Sequence, residues 1–224
     1  MNNNQNTKSN FLLSVKDFIR EKLKIIITIC IIIFILFLSF QIFSYYKVSQ
    51  VQKDSIKFFN AKNLNDKEKY NKLMEELSTK DGFYSILSNL ELIKFNLLNK
   101  NFDLVLELYK KILNKNNLEK SYISAIATAA AYNFIDIQYN NESMNFLSDI
   151  QNFINLIDDN LESYKDSKLE LKYLLAVTKI DLNNLSYSND PEVSILHNQI
   201  MESETTSETI KERVNKIHEF QLYN

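Results

Sequence analysis

A chain of 224 residues with a single glycine, Gly82, and a single proline, Pro191, has few ways to turn sharply. Tight β-turns need residues that tolerate positive φ, which glycine supplies without steric cost. The scarcity therefore predicts an all-α fold of long helices joined by Asn-rich turns. Glycine-rich phosphate loops and dinucleotide fingerprints are excluded by the same count. Cys30 is the one cysteine, so no disulfide can form within the chain. The abundance of Asn, Ile, Lys, Tyr and Phe is what AT-rich codons produce, so no single Asn or Lys is read as a signal.

Residues 25–43 read IIITICIIIFILFLSFQIF. At 1.5 Å per residue this run covers roughly 28 Å, close to the hydrocarbon thickness of a bilayer. In lipid the backbone must satisfy itself, and a helix is the only single-segment solution. Thr28, Ser39 and Gln41 are the only interruptions, and Tyr45 and Tyr46 follow as interfacial aromatics. The run is too long for a signal-peptide core, and no small-x-small pair follows it, so an uncleaved anchor is expected. Lys8, Lys16, Arg20, Lys22 and Lys24 precede it, against Lys47, Lys53 and Lys57 behind. That bias places the N-terminus in the cytoplasm and, in a bacterium, the bulk of the chain in the periplasm, with the anchor in the inner membrane. Residues 1–24 carry a net charge of +3 and the remainder −5. An acidic exterior is a poor fit to nucleic acid. The expected organisation is a cytoplasmic tail over 1–24, a transmembrane helix over 25–43, connecting helices over 44–80 and a helical domain over 81–224.

Within that domain, KNFDLVLELYKKIL (100–113) places Phe102, Val105, Leu106, Tyr109, Ile112 and Leu113 on one helical face. FYSILSNLELIKFNLL before it does the same with Phe83, Ile86, Leu87, Leu90, Ile93 and Leu97. Only NKN separates the two, so they fold back as a helical hairpin. SYISAIATAAAYNFIDI, SMNFLSDIQNFINLI, LELKYLLAVTKIDL, PEVSILHNQIM and SETIKERVNKIHEF continue the series. Asp190-Pro191 reads as N-cap then first helical residue, and Thr205/Glu208 and Asn65/Glu68 as capping boxes.

Hairpins recurring every 34 to 45 residues or so suggest a tetratricopeptide-type solenoid. KNFDLVLELYKKIL follows that repeat's second helix, with Phe102 and Tyr109 as the aromatics and Leu106 and Leu113 as the leucines. It departs at Lys100, where the repeat has Gly, and at Val105 and Ile112, where it has Ala. Ala127 fits the small-residue position of the following first helix; Ile93 does not. With the anchor, this pattern resembles the YfgM-type ancillary subunits of the bacterial SecYEG translocon, and the layout suits membrane-anchored tetratricopeptide-like proteins of α-proteobacteria. The segments 81–113, 121–135 and 205–220 look like that family's first hairpin, next front helix and closing helix. The resemblance implies a non-enzymatic interaction scaffold at the periplasmic side of the export channel. Its partners would be translocon subunits, periplasmic chaperones or exported chains. A structural envelope scaffold serving one fixed complex, in division or cytochrome maturation, is the alternative.

No residues converge on chemistry, so no catalytic, cofactor or metal site is expected. His197 and His218, the only histidines, stand 21 positions apart without zinc-ligand spacing and read as surface or interhelix residues. Glu75-Glu76 and Asp158-Asp159 are neighbours that diverge by about 100° on a helix. One binding candidate remains, a peptide groove on the front helices. Ser121, Ser124, Thr128 and Tyr132 form a polar stripe at i, i+3, i+7, i+11, with Lys94 on the preceding front helix.

Overall fold

The computed structural model describes residues 3–116, 118–141, 143–183 and 190–222, with side chains from Arg20 onward except at 21, 26, 181–183 and 221–222. Lys8 and Lys16 of the basic flank fall outside the described side chains. Nine helices and no strand lie among the described residues: α1 (Asn3–Lys62), α2 (Lys67–Ser78), α3 (Phe83–Leu98), α4 (Phe102–Leu113), α5 (Lys120–Asn140), α6 (Leu147–Leu156), α7 (Glu162–Asn183), α8 (Pro191–Glu202) and α9 (Glu208–Leu222). The chain divides into two compact units, Met1–Tyr84 and Ser85–Asn224.

In the first unit, α1 is one helix that is long and apolar enough to cross a membrane. Every described side chain from Lys22 to Val48 is exposed. The helix does not stop where the apolar run ends: nothing between 43 and Lys62 is Gly or Pro, and it continues until Asn63 and Leu64 close its last turn. Near that end Phe58 and Ala61 are buried with Met74 and Leu77 of α2, and α1 and α2 pack together. Lys80 pairs with Asp54, and Tyr84 donates to Ser55 Oγ at 2.8 Å. The N-cap of α2 is Asp66, whose carboxylate accepts from the N–H groups of Glu68 and Lys69. The expected cap, Asn65, lies one residue too early. An ionised carboxylate also answers the helix's positive end better than an amide.

The second unit is built around α5, which packs against α4, α6 and α7. Ala127, Ala130 and Ala131 are fully buried and let neighbouring helices approach closely, while Phe134 fills the centre. Its ring meets those of Tyr109, Phe146 and Phe153 at 6.3, 4.9 and 5.9 Å. Asn133 donates to Tyr109 Oη at 2.7 Å, so the buried phenol keeps a polar partner. Burial raises the Tyr109 pKa, and the Asn133 contact opposes part of that rise. At the α5–α6 turn the fully buried Gln138 donates to Met144 O at 2.7 Å and accepts from Phe146 N–H at 2.6 Å. Beyond, α7 packs on α8 and α9 around Tyr173, Val177, Ile180, Val193, Leu196, Ile200 and Val214.

Three expectations are corrected here. On α3 the buried residues are Ser85, Ser88, Asn89, Leu92, Ile93 and Asn96, whereas Phe83 is exposed and Ile86, Leu87, Leu90 and Leu97 are only half-buried. Asn89 and Asn96 tolerate the interior because they donate to carbonyls one turn back, at 2.7 and 2.8 Å, and Ser85 Oγ accepts from Lys115 at 2.8 Å. On α4, Leu108 is buried alongside Val105, Tyr109 and Ile112, while Phe102, Leu106 and Leu113 are half-buried. Before α9 the Thr205/Glu208 box does not form. Glu208 is already helical, Ser207 carries the first helical carbonyl, and the Thr205 hydroxyl meets Ser203 Oγ at 3.1 Å. Asp190-Pro191 does cap α8, the Asp190 carboxylate accepting from Glu192 and Val193 N–H.

Candidate functional site

The polar stripe of α5 runs along the side of the helix that meets α7. Ser121 is exposed, as is Lys94 on α3. Ser124 is fully buried, and its Oγ accepts the Asp158 N–H at 3.0 Å, fastening the loop before α7. Thr128 is half-buried, and its Oγ1 has no hydrogen-bond partner among the described residues. Tyr132 donates to Glu170 Oε2 of α7 at 2.6 Å. Ser124 and Tyr132 therefore hold helices together, while Ser121 and Lys94 remain available to solvent.

Tyr132 belongs to a cluster that pattern reading missed. The Glu170 carboxylate is fully buried and accepts from Arg213 of α9 through two nitrogens, Nε at 2.5 Å and Nη2 at 2.6 Å. Three helices thus meet at one carboxylate. Burial first, then the hydrogen bond to Glu170, raises the Tyr132 pKa, so the phenol stays protonated as donor. The Glu170 contact likewise raises the Arg213 pKa. Glu170 and Arg213 lie 43 residues apart, beyond any local period. One signal was present. Arg20 and Arg213 are the only arginines among 26 basic residues, and a planar two-point grip on a carboxylate is what lysine cannot provide.

Between α6 and α7 the neighbouring Asp158 and Asp159 each take a lysine. Asp158 pairs with Lys120 at 3.2 Å and Asp159 with the buried Lys168 at 2.7 Å. Backbone N–H of Asn160 and then Lys120 hold the Asp158 pKa down, and Lys168 does so for Asp159. Lys168 also donates to Ile157 O, so this pair pins a turn.

His197 and His218 are brought together. Their rings stack with centroids 4.0 Å apart and 18° between planes. Tyr173 lies against His197 at 6.3 Å, and both Tyr173 Oη and His197 Nε2 are buried without a hydrogen-bond partner among the described residues. Burial, and then the neighbouring His197, hold the His218 pKa below its ordinary value, with Glu219 opposing. Among the described residues no group of three or more His, Cys, Asp or Glu is placed to hold a metal ion.

No family model, curated protein or solved structure matches the chain. The Glu170 and Asp158/Asp159 clusters are internal clamps, and the exposed apolar length lies on α1.

Proposed function

We propose that this chain is a non-enzymatic, membrane-anchored protein-interaction scaffold. In this reading α1 spans a bacterial inner membrane once, with its N-terminus in the cytoplasm and the helical unit in the periplasm. The observation that carries the reading is the fully exposed apolar length of α1 attached to an all-helical remainder. An apolar face of that size on a water-soluble protein would be a severe aggregation liability, and lipid is the solvent that removes it.

The helical unit is read as a tetratricopeptide-like solenoid. Its packing order supports this: α5 contacts α6 and α7, α7 contacts α8 and α9, and α8 contacts α9. Front helices that touch the next front helix, each backed by its own partner, are the contacts a stacked hairpin array makes. The unit would bind other proteins at the exit side of the export channel, namely translocon subunits, periplasmic chaperones or emerging chains. The anchor would supply high effective concentration there. Affinity purification of the tagged full-length protein from its own membranes, with mass spectrometry, tests this. Enrichment of channel subunits is the expected result. Channel subunits at background, with one other envelope complex enriched, would overturn it in favour of a fixed-partner scaffold.

A further inference from the structure

The exposed side of α1 carries a pattern that neither lipid nor water explains. Over residues 41–59, Gln41, Tyr45, Val48, Gln52, Ser55 and Phe59 recur at alternating spacings of four and three, the inner positions of a heptad. The positions flanking that seam are Ile42, Ser44, Ser49, Val51, Ile56 and Phe58, and none is charged. All four charges in this stretch, Lys47, Lys53, Asp54 and Lys57, lie on the outer positions. Toward its C-terminal end the seam is occupied by the chain itself: Phe58 is buried where α2 packs, Tyr84 donates to Ser55 Oγ, and the Tyr84 ring meets those of Phe58 and Phe59 at 5.7 and 6.4 Å. Ahead of that contact the seam stays uncovered: Tyr45 is 78% exposed, Val48 54% and the flanking Val51 53%, and Gln41 and Gln52 are exposed too. Inside the apolar run the corresponding positions are Leu38, Phe34, Ile31 and Ile27, where every neighbouring position but Thr28 and Ser39 is apolar as well.

We propose that this seam pairs with the same seam of a second copy, in a parallel, in-register two-stranded coiled coil that begins in the membrane and extends beyond it. Two features select a second copy over a different partner. An anchor gives every copy the same orientation, so identical seams meet parallel and residue for residue. Each seam also holds two uncharged amides, Gln41 and Gln52. Glutamine both donates and accepts, so it pairs with itself across a two-fold axis. Such a polar residue in an apolar seam fixes register and strand number, and inside lipid it also draws helices together. A partner of opposite charge has nothing to grip on this face.

The proposal rests on the anchor reading of α1 and not on the identity of any client. Its test uses the full-length chain in lipid bilayers, with Cys30→Ser removing the only native thiol. Single cysteines are placed on the seam (Val48→Cys, Gln52→Cys) and on the outer face (Lys47→Cys, Lys53→Cys). Each variant is oxidised with copper phenanthroline and read on non-reducing gels. Disulfide-linked dimers several-fold more abundant at 48 and 52 than at 47 and 53 are expected. Gln52→Lys in the Val48→Cys background should cut the dimer several-fold, because two like charges would face each other in the seam. Equal yields at all four positions, a maximum on the outer face, or no dimer from protein that resists alkaline carbonate extraction would each overturn the pairing. Protein released by carbonate would overturn the anchor reading and the pairing together.

Discussion

Lys100 closes α3 in a backbone conformation that favours glycine. Its φ is +57°, in the left-handed region. Its N–H meets Leu97 O at 3.1 Å while the Asn101 N–H meets Asn96 O at 2.9 Å, the double bond of a Schellman cap closing α3. A lysine held there costs about 1 kcal/mol that glycine would not. Lys100→Gly should therefore stabilise the chain by about 0.5 kcal/mol once the greater freedom of the unfolded glycine is subtracted, measured by denaturant unfolding. Tyr173 is the converse case, a fully buried phenol whose oxygen finds no partner among the described residues. Tyr173→Phe removes a polar atom that burial leaves unsatisfied and should raise stability by about 1 kcal/mol rather than lower it. Gln138 is satisfied at both ends, so Gln138→Leu orphans the Met144 carbonyl and the Phe146 N–H and should cost about 2 kcal/mol.

Helices are where the sequence was most legible. The periods over 83–98 and 102–113 coincide with α3 and α4, and Asp190-Pro191 marks the start of α8. Those signals are local: a period of 3.6, an acceptor side chain, a fixed φ. The orientation of α3 was not legible. Asn looks solvent-facing in a pattern count, yet the amides of Asn89 and Asn96 bond within their own helix and enter the interior, and Ser85 Oγ there accepts from Lys115. The continuation of α1 to Lys62 was missed because a change from apolar to mixed composition resembles a boundary, although helix continuity needs only that no breaker intervene. Contacts between distant helices were beyond pattern reading. The Glu170 clamp joins α5, α7 and α9, and Arg213→Ala would strand a buried carboxylate. A loss of about 2 kcal/mol is expected, discounted because the guanidinium is half exposed, with Arg213→Lys recovering only part of it. At the junction of α8 and α9 the depressed His218 pKa sets a pH dependence. Below the ordinary imidazole value the unfolded chain takes up a proton that the folded chain resists, so stability falls as pH drops from 7 toward 5. Thermal melts across that range should show the fall, and His218→Gln should flatten it.

At the scale of the molecule, composition carried the fold class: one glycine and one proline in 224 residues left helices as the available answer. It could not carry function: of the polar residues that a stripe or a doublet singled out, Ser124, Tyr132, Asp158 and Asp159 hold helices and turns in place, while Ser121 is exposed. Removing residues 1–46 should convert the protein from one that requires detergent to one extracted in buffer, with its far-ultraviolet circular dichroism still helical. The unbroken backbone of α1 has a consequence for reach. From Tyr46 to Phe58, where α2 docks, the rod rises about 18 Å, so on the anchor reading α2 stands that far above the lipid headgroups. Such a rod sets both height and compass bearing. Deleting seven residues from it lowers α2 by about 10 Å and leaves its bearing nearly unchanged, whereas deleting two lowers it by only about 3 Å but swings it by about 200°, to the far side of the rod.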